Sequence, residues 1–253
     1  MIDLSAQTAA SNIRIWNDAK RPINVQARIY RWSQSNGADT YAEATDVVVS
    51  PPISQLKPGS ENIVRIVRTS KSPVKAEESY RLIVDELPYI AQRRSGTLNL
   101  VIRHSIPVFF SQPGTPDANP SWSVQRQSGG YRVTVNNTGN KRLRVFDLAL
   151  QGAGGRAVAQ RKGLVGYVLG QSSASWFIPG TGGSRGGGSL AISAQSEAGP
   201  INVQASARGG RSCGFDDCVS NGLHRMSESC GAGIATYVVG DACFRRYPSG
   251  ASA

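Results

Sequence analysis

The sequence is poor in the residues that chemistry usually needs. It has two histidines and four cysteines in 253 residues, and the first 206 contain no cysteine at all. The main body of the chain therefore uses neither disulfides nor thiolate metal ligands. No apolar run approaches the length that spans a bilayer, and no long amphipathic helix is legible. Met1-Ile2-Asp3-Leu4 lacks the basic start and apolar segment of a signal peptide, so a cytosolic chain and a mature or truncated exported one both stay open on composition alone. A catalytic reading also finds little to build on. There is no Gly-x-Ser-x-Gly elbow, and the glycine cluster at 182–188 lacks the Gly-Lys-Ser/Thr ending of a phosphate loop. Asp85 and Glu86 are adjacent in a strand-like run, so they point to opposite faces and cannot act on one atom. No catalytic residue, metal site or cofactor is expected.

What is present is alternation with a period of two. Ile23, Val25, Ala27 and Ile29 share one face, with Asn24, Gln26, Arg28 and Tyr30 on the other. Residues 63–67 and 80–84 read as further strands, and the longest alternating run is Leu98, Leu100, Ile102, His104, Ile106, Val108 and Phe110. Ser50-Pro51-Pro52, Lys57-Pro58-Gly59, Leu87-Pro88 and Gln112-Pro113-Gly114 punctuate these runs with turn chemistry. After residues 113–119, which read as a linker, alternation resumes at Trp122 and Val124 and continues through Tyr131, Val133 and Val135 to Ile201 and Val203. Many short strands separated by Gly/Pro turns predict an all-β chain of two sandwiches, over 1–112 and 120–206.

Residues 207–253 break the pattern and hold Cys213, Cys218, Cys230 and Cys243. The Cys213-x4-Cys218 spacing is a poor match to a zinc site; a disulfide pair and a poorly ordered appendage remain open, the appendage being favoured. The formal charge is +11, spread along the chain without a basic helical stripe, a zinc-finger spacing or an aromatic platform. A solvated basic surface is expected rather than nucleic-acid binding, with steering toward an acidic partner compatible.

The segment Pro22–Trp32, then Ser50-Pro51-Pro52-Ile53, Leu56-Lys57-Pro58-Gly59 and Ile63–Ile66, resembles the PapD-like pilus-assembly chaperones. The most specific part is Tyr80–Pro88 followed by Arg103-His104-Ser105-Ile106-Pro107-Val108-Phe109, which is similar to the archaic branch serving spore-coat-U-like and Csu-type pili. A looser likeness runs through Val135–Gly139, Gly163–Leu169 and Trp176. The resemblance implies an L-shaped pair of immunoglobulin-like sandwiches in the periplasm. It further implies pilus subunits and an outer-membrane usher as partners, with no membrane insertion. Leu98, Leu100, Ile102 and His104 would then be donor-strand residues that complete a subunit's sheet. Sequence alone leaves open that the same run is an ordinary core strand. The cleft cations that would hold a subunit's terminal carboxylate fall near Met1 and Pro107, neither basic, so Arg81 and Arg103 become the anchor candidates. Glu86 resembles an interdomain salt-bridge carboxylate. The alternative class is a structural or adhesive β-sandwich fibre protein; a binder of anionic polymer rests on charge alone.

Overall fold

The computed structural model describes residues 1–5, 10–88, 101–180 and 188–209. The expected tail and its four cysteines lie outside the described residues, apart from 207–209, and so do Leu98 and Leu100.

Among the described residues, the first half contains nine strands. They are β1 (Ile2–Ser5), β2 (Ala10–Trp16), β3 (Ile23–Ser35), β4 (Ala38–Glu43), β5 (Val47–Ser50), β6 (Ile53–Leu56), β7 (Glu61–Arg68), β8 (Glu78–Leu87) and β9 (Arg103–Ser111). One sheet runs β1-β9-β8-β3-β4, with β6 added to the end of β3; the facing sheet runs β2-β7-β5. β1 pairs parallel with β9 whereas β2 pairs antiparallel with β7, so the N-terminal segment serves both sheets. Between the sheets Val25, Ala27, Leu56, Ile66, Tyr80 and Phe110 are buried. Val25, Ala27 and Phe110 are positions that the period of two put on one face.

The second half is β10 (Pro120–Gln127), β11 (Gly130–Asn137), β12 (Leu143–Gln151), β13 (Ala157–Val168), β14 (Ser172–Pro179), β15 (Ser189–Ser196) and β16 (Gly199–Gly209). They form a sheet of order β13-β12-β15-β16-β10-β11-β14 wrapped round one core that includes Val133, Val145, Leu148, Leu150 and Ile192. A bridge between Ala159 and Gly180 brings its two end strands together.

Both halves use the same device where a strand crosses into the next. Asn17 donates to the carbonyls of Arg21 and Leu56, at 2.8 and 3.1 Å, and accepts from the Ala19 amide. Asn137 donates to Lys141 and Leu169 carbonyls, at 2.8 and 3.0 Å, and accepts from the Gly139 amide. Each buried amide satisfies loop groups that would otherwise be orphaned away from water.

The halves meet on an aromatic joint. Trp32 on β3, Phe109 on β9, and Tyr167 and Leu169 form a buried cluster, with ring centroids 5.5–6.0 Å apart. Val108 and Phe110 face the first core, so the four consecutive β9 residues Pro107 to Phe110 are buried and this end of the strand is sealed on both faces. Gln34 stitches the joint with polar bonds, donating to the Tyr167 carbonyl at 2.8 Å and accepting from the Leu169 amide at 2.9 Å.

Beside the joint, the Arg142 guanidinium stacks 3.9 Å from the Phe109 ring centroid and is ion-paired to Glu77 (2.5 Å), Asp3 (2.7 Å) and Glu197 (3.4 Å). The neighbouring Glu78 turns the other way and is held by Arg68 through Nε and Nη2, at 2.8 and 2.9 Å. Adjacent carboxylates at the start of β8 thus grip both halves, because successive strand residues point to opposite faces. The Glu77 side chain is only 1% exposed. Burial pushes its carboxyl above the usual range, although Arg142 opposes the shift. The group therefore costs stability once ionised, and that cost fades as pH falls from its raised pKa toward the ordinary carboxylate range. Removing each partner should not be equivalent. Glu77→Gln keeps an acceptor and leaves Arg142 with Asp3 and Glu197, so it should change stability by less than about 1 kcal/mol. Arg142→Ala strands a buried carboxylate and should cost about 3 kcal/mol or more. Urea unfolding of the two variants at neutral pH measures the difference; equal losses would contradict this account.

Candidate functional site

β9 is paired along its whole length on one side and only partly on the other. β8 pairs with it from Arg103 to Phe110, and the Glu86 amide donates to the Ile102 carbonyl at 2.9 Å, extending the ladder by one residue. On the outer side β1 covers only Val108 to Ser111. Among the described residues nothing pairs with the outer edge over 103–107. An open row of this kind is a template for another strand.

The side chains on this segment keep one register. Phe110 and Val108 lie in the first core and Ile106 packs partly against it. His104 and Ile102 continue the same face but stand exposed, Ile102 at 57%. Val101, on the other face, is also half exposed. The strand is thus a core strand at its C-terminal end and an open strand at its N-terminal end. Sequence reading left a core strand and a donor strand as alternatives for the run; the structure shows the core part over Ile106–Phe110, while Leu98 and Leu100 lie outside the described residues.

The anchor candidates have different surroundings. Arg103 donates through Nε to Asp85, with Nη2 3.3 Å from the second oxygen, while Arg28 Nη2 reaches that same oxygen at 2.5 Å. Burial opposes ionisation of Asp85, but the hydrogen bonds from Arg103 and Arg28 outweigh it and hold the carboxyl below its usual range. Arg103 therefore already has a carboxylate. Arg81 does not, among the described residues. Its guanidinium lies 3.9 Å over Trp32 and 5.7 Å from Tyr167, and its buried Nε has no hydrogen-bond partner. Arg144, which the sequence reading did not single out, sits at the same 5.7 Å from Tyr167. It stacks 4.3 Å from Phe146 and lies 3.8 Å from Glu197. Two arginines therefore flank one tyrosine at the joint between the halves.

Glu86 is 3.6 Å from Arg21, within the first half. The ion pairs that cross the joint are those of Arg142 with Glu77 and Asp3. Glu77, directly before β8, was not singled out by sequence reading; the usable signal was the adjacent pair Glu77-Glu78 at the head of a strand. Among the described residues no group of three or more His, Cys, Asp or Glu could hold a metal ion, and no helix is long and apolar enough to cross a membrane.

The Asp85 cluster carries a pH signature. A depressed carboxyl contributes stability above its unfolded pKa of about 3.9, and loses it as pH falls through the folded value. Asp85→Asn should cost about 1 kcal/mol at pH 7, since both arginines are substantially exposed. The gap between variant and parent in urea unfolding should shrink at acid pH, toward and below pH ~3. A gap independent of pH would show that the two arginines do not act through the carboxylate.

Comparison with known proteins places this geometry. The family described as "Pili and flagellar-assembly chaperone, PapD N-terminal domain" matches residues 1–115. The Escherichia coli chaperone protein CssC is 25% identical over 140 residues, covering 50% of this chain and 57% of its own length. The chain thus spans little more than half of that relative. A chain of the CsuC–CsuE chaperone–tip adhesion subunit pre-assembly complex, from archaic chaperone-usher Csu pili of Acinetobacter baumannii, is 25% identical. It aligns over 80% of this chain and 94% of its own, with a TM-score of 0.61. The complex of Salmonella enterica SafA pilin with the SafB chaperone shares the fold, at 18% identity, TM-score 0.54, and coverage of 80% and 91%. Residues 1–115 thus carry the PapD N-terminal domain of pilus and flagellar-assembly chaperones, and together with the open β9 edge and the immunoglobulin-like sandwiches these likenesses support a PapD-like pilus-assembly chaperone of the archaic type.

Proposed function

We propose that this chain works in the periplasm, where it binds incomplete pilus subunits by lending them the strand that begins near Leu98 and runs into β9, and then delivers them to an outer-membrane usher. The division of labour is a first domain over 1–112 that carries the donor strand, a linker over 113–119, and a second domain over 120–206. A subunit that lacks its last strand exposes a hydrophobic groove and two rows of unpaired backbone groups. A donor must supply main-chain hydrogen bonds and apolar side chains at alternate positions. The observation that carries this reading is the outer edge of β9 over 103–107, unpaired among the described residues, with Ile102 exposed beside it.

Leu98, Leu100 and Ile102 are the three aliphatic donor residues. Each fully buried side chain is worth roughly 1.5–3 kcal/mol, less the cost of ordering both partners. Arg81 is the better carboxylate anchor of the two candidates, because Arg103 is already engaged by Asp85. Its stacking on Trp32 fixes the planar guanidinium at the cleft, where a subunit's terminal carboxylate would accept two parallel bonds.

The test is co-expression with a candidate subunit from a neighbouring gene. A stable one-to-one complex is expected, and Leu100→Asp with Ile102→Asp should abolish it while the chaperone stays folded. Survival of the complex would sink the donor-strand reading. Arg81→Ala should weaken the complex by about tenfold or more, with Arg81→Lys recovering only part, since an ammonium cannot bond in a bidentate fork.

A further inference from the structure

The donor face has one member that does not fit an apolar groove. His104 lies between Ile102 and Ile106 on the same side of the strand, about 6.8 Å from each along it. Its cross-strand neighbour is Val84, with Leu82 opposite Ile106. Both valine and leucine are buried in the first core. His104 itself is exposed, and its imidazole has no hydrogen bond to any described residue. It therefore stands where this chain's own core ends and the open edge begins.

Resting on the donor-strand reading, we propose that His104 selects among subunits by requiring a hydrogen-bond acceptor in the last socket of the groove. A second strand laid against 103–107 would carry its sheet over this position and remove the imidazole from water. A neutral imidazole brings one N–H donor and one acceptor. Left unpaired on burial, such groups forfeit the hydrogen bonds they made with water and weaken the complex. Among the described residues this chain's side of the face offers no partner: Val84 and Leu82 are apolar, and Glu86 is the partner of Arg21. The acceptor must come from the bound subunit, as a side-chain oxygen or a backbone carbonyl that its own fold leaves free. Ile102 and the residues before it supply affinity through apolar burial, which any subunit groove can satisfy. His104 supplies discrimination, because a site built to accept a hydrogen bond rejects a mismatch more sharply than a methylene pocket does.

The experiment uses the full chain co-expressed with the subunit from the neighbouring gene, and reads the dissociation rate of the purified complex by competition with tagged chaperone. His104→Leu should speed dissociation about tenfold, since the subunit's acceptor is stranded against an apolar side chain. His104→Gln, which keeps a donor at similar reach, should stay within about threefold of the parent. The exposed position means both variants should fold, which circular dichroism checks. Ile102→Asp is the control for the underlying reading. If Ile102→Asp leaves the complex intact, the donor strand itself is misassigned. If Ile102→Asp disrupts the complex while His104→Leu binds as tightly as the parent or tighter, the donor reading stands and the selectivity role of His104 is overturned.

Discussion

Backbone groups on a strand edge must be paired or left to water, and β9 does both along nine residues. Its C-terminal end is held by β8 on one side and β1 on the other, with Val108 and Phe110 in one core and Phe109 in the joint. That end cannot leave without opening both halves of the molecule. The N-terminal end keeps β8 but has an uncovered outer row among the described residues, with exposed side chains in unbroken register. Rigidity at one end and availability at the other are what a lent strand needs. On the proposed reading, the anchored half would fix the direction, twist and register in which the free half is presented, so less ordering cost would fall on binding.

The joint between the halves follows from the same element. Phe109 is the β9 residue that faces the second half, and Trp32 and Tyr167 close round it. Arginines then cover the aromatic faces: Arg142 on Phe109 and Arg81 on Trp32. The two differ in what neutralises them. Arg142 is enclosed by Glu77, Asp3 and Glu197, so it belongs to the fold. Arg81 stacks without a carboxylate among the described residues, so it has capacity left for an incoming one. Charge distribution at the joint thus separates a structural cation from an available one, although both sit on aromatic rings at the same 3.9 Å.

Strand identity was legible in the sequence because a half-buried strand shows its period directly, as in Val25, Ala27 and Ile29. β4 was not, since its six residues are all exposed and carry no apolar alternation. The better signal there was Asn36-Gly37, whose φ values of 53° and 78° make the two-residue turn that joins β3 to β4. From Ile102 to Phe110 the run was read correctly as one alternating face, but alternation says nothing about which part of a face is covered. Phe109 and Trp32 escaped it because they are buried on the face that a single sandwich would leave to solvent. The cross-joint ion pairs escaped for a related reason. Glu77 and Arg142 are far apart in sequence, and nothing local marks a charged residue as buried. Arg103 was proposed as an anchor from its place on the strand, whereas its engagement with Asp85 depends on β8–β9 register.

The most direct measurement is amide hydrogen exchange, residue by residue along β9, in the free chain and in its complex with a subunit. Outward-facing amides over 103–106 should exchange quickly in the free protein and become protected in the complex, while 108–110 are protected in both. Strong protection of the outward-facing amides of Arg103 and Ser105 in the free chain, or none gained on binding, would contradict a strand held at one end and offered at the other.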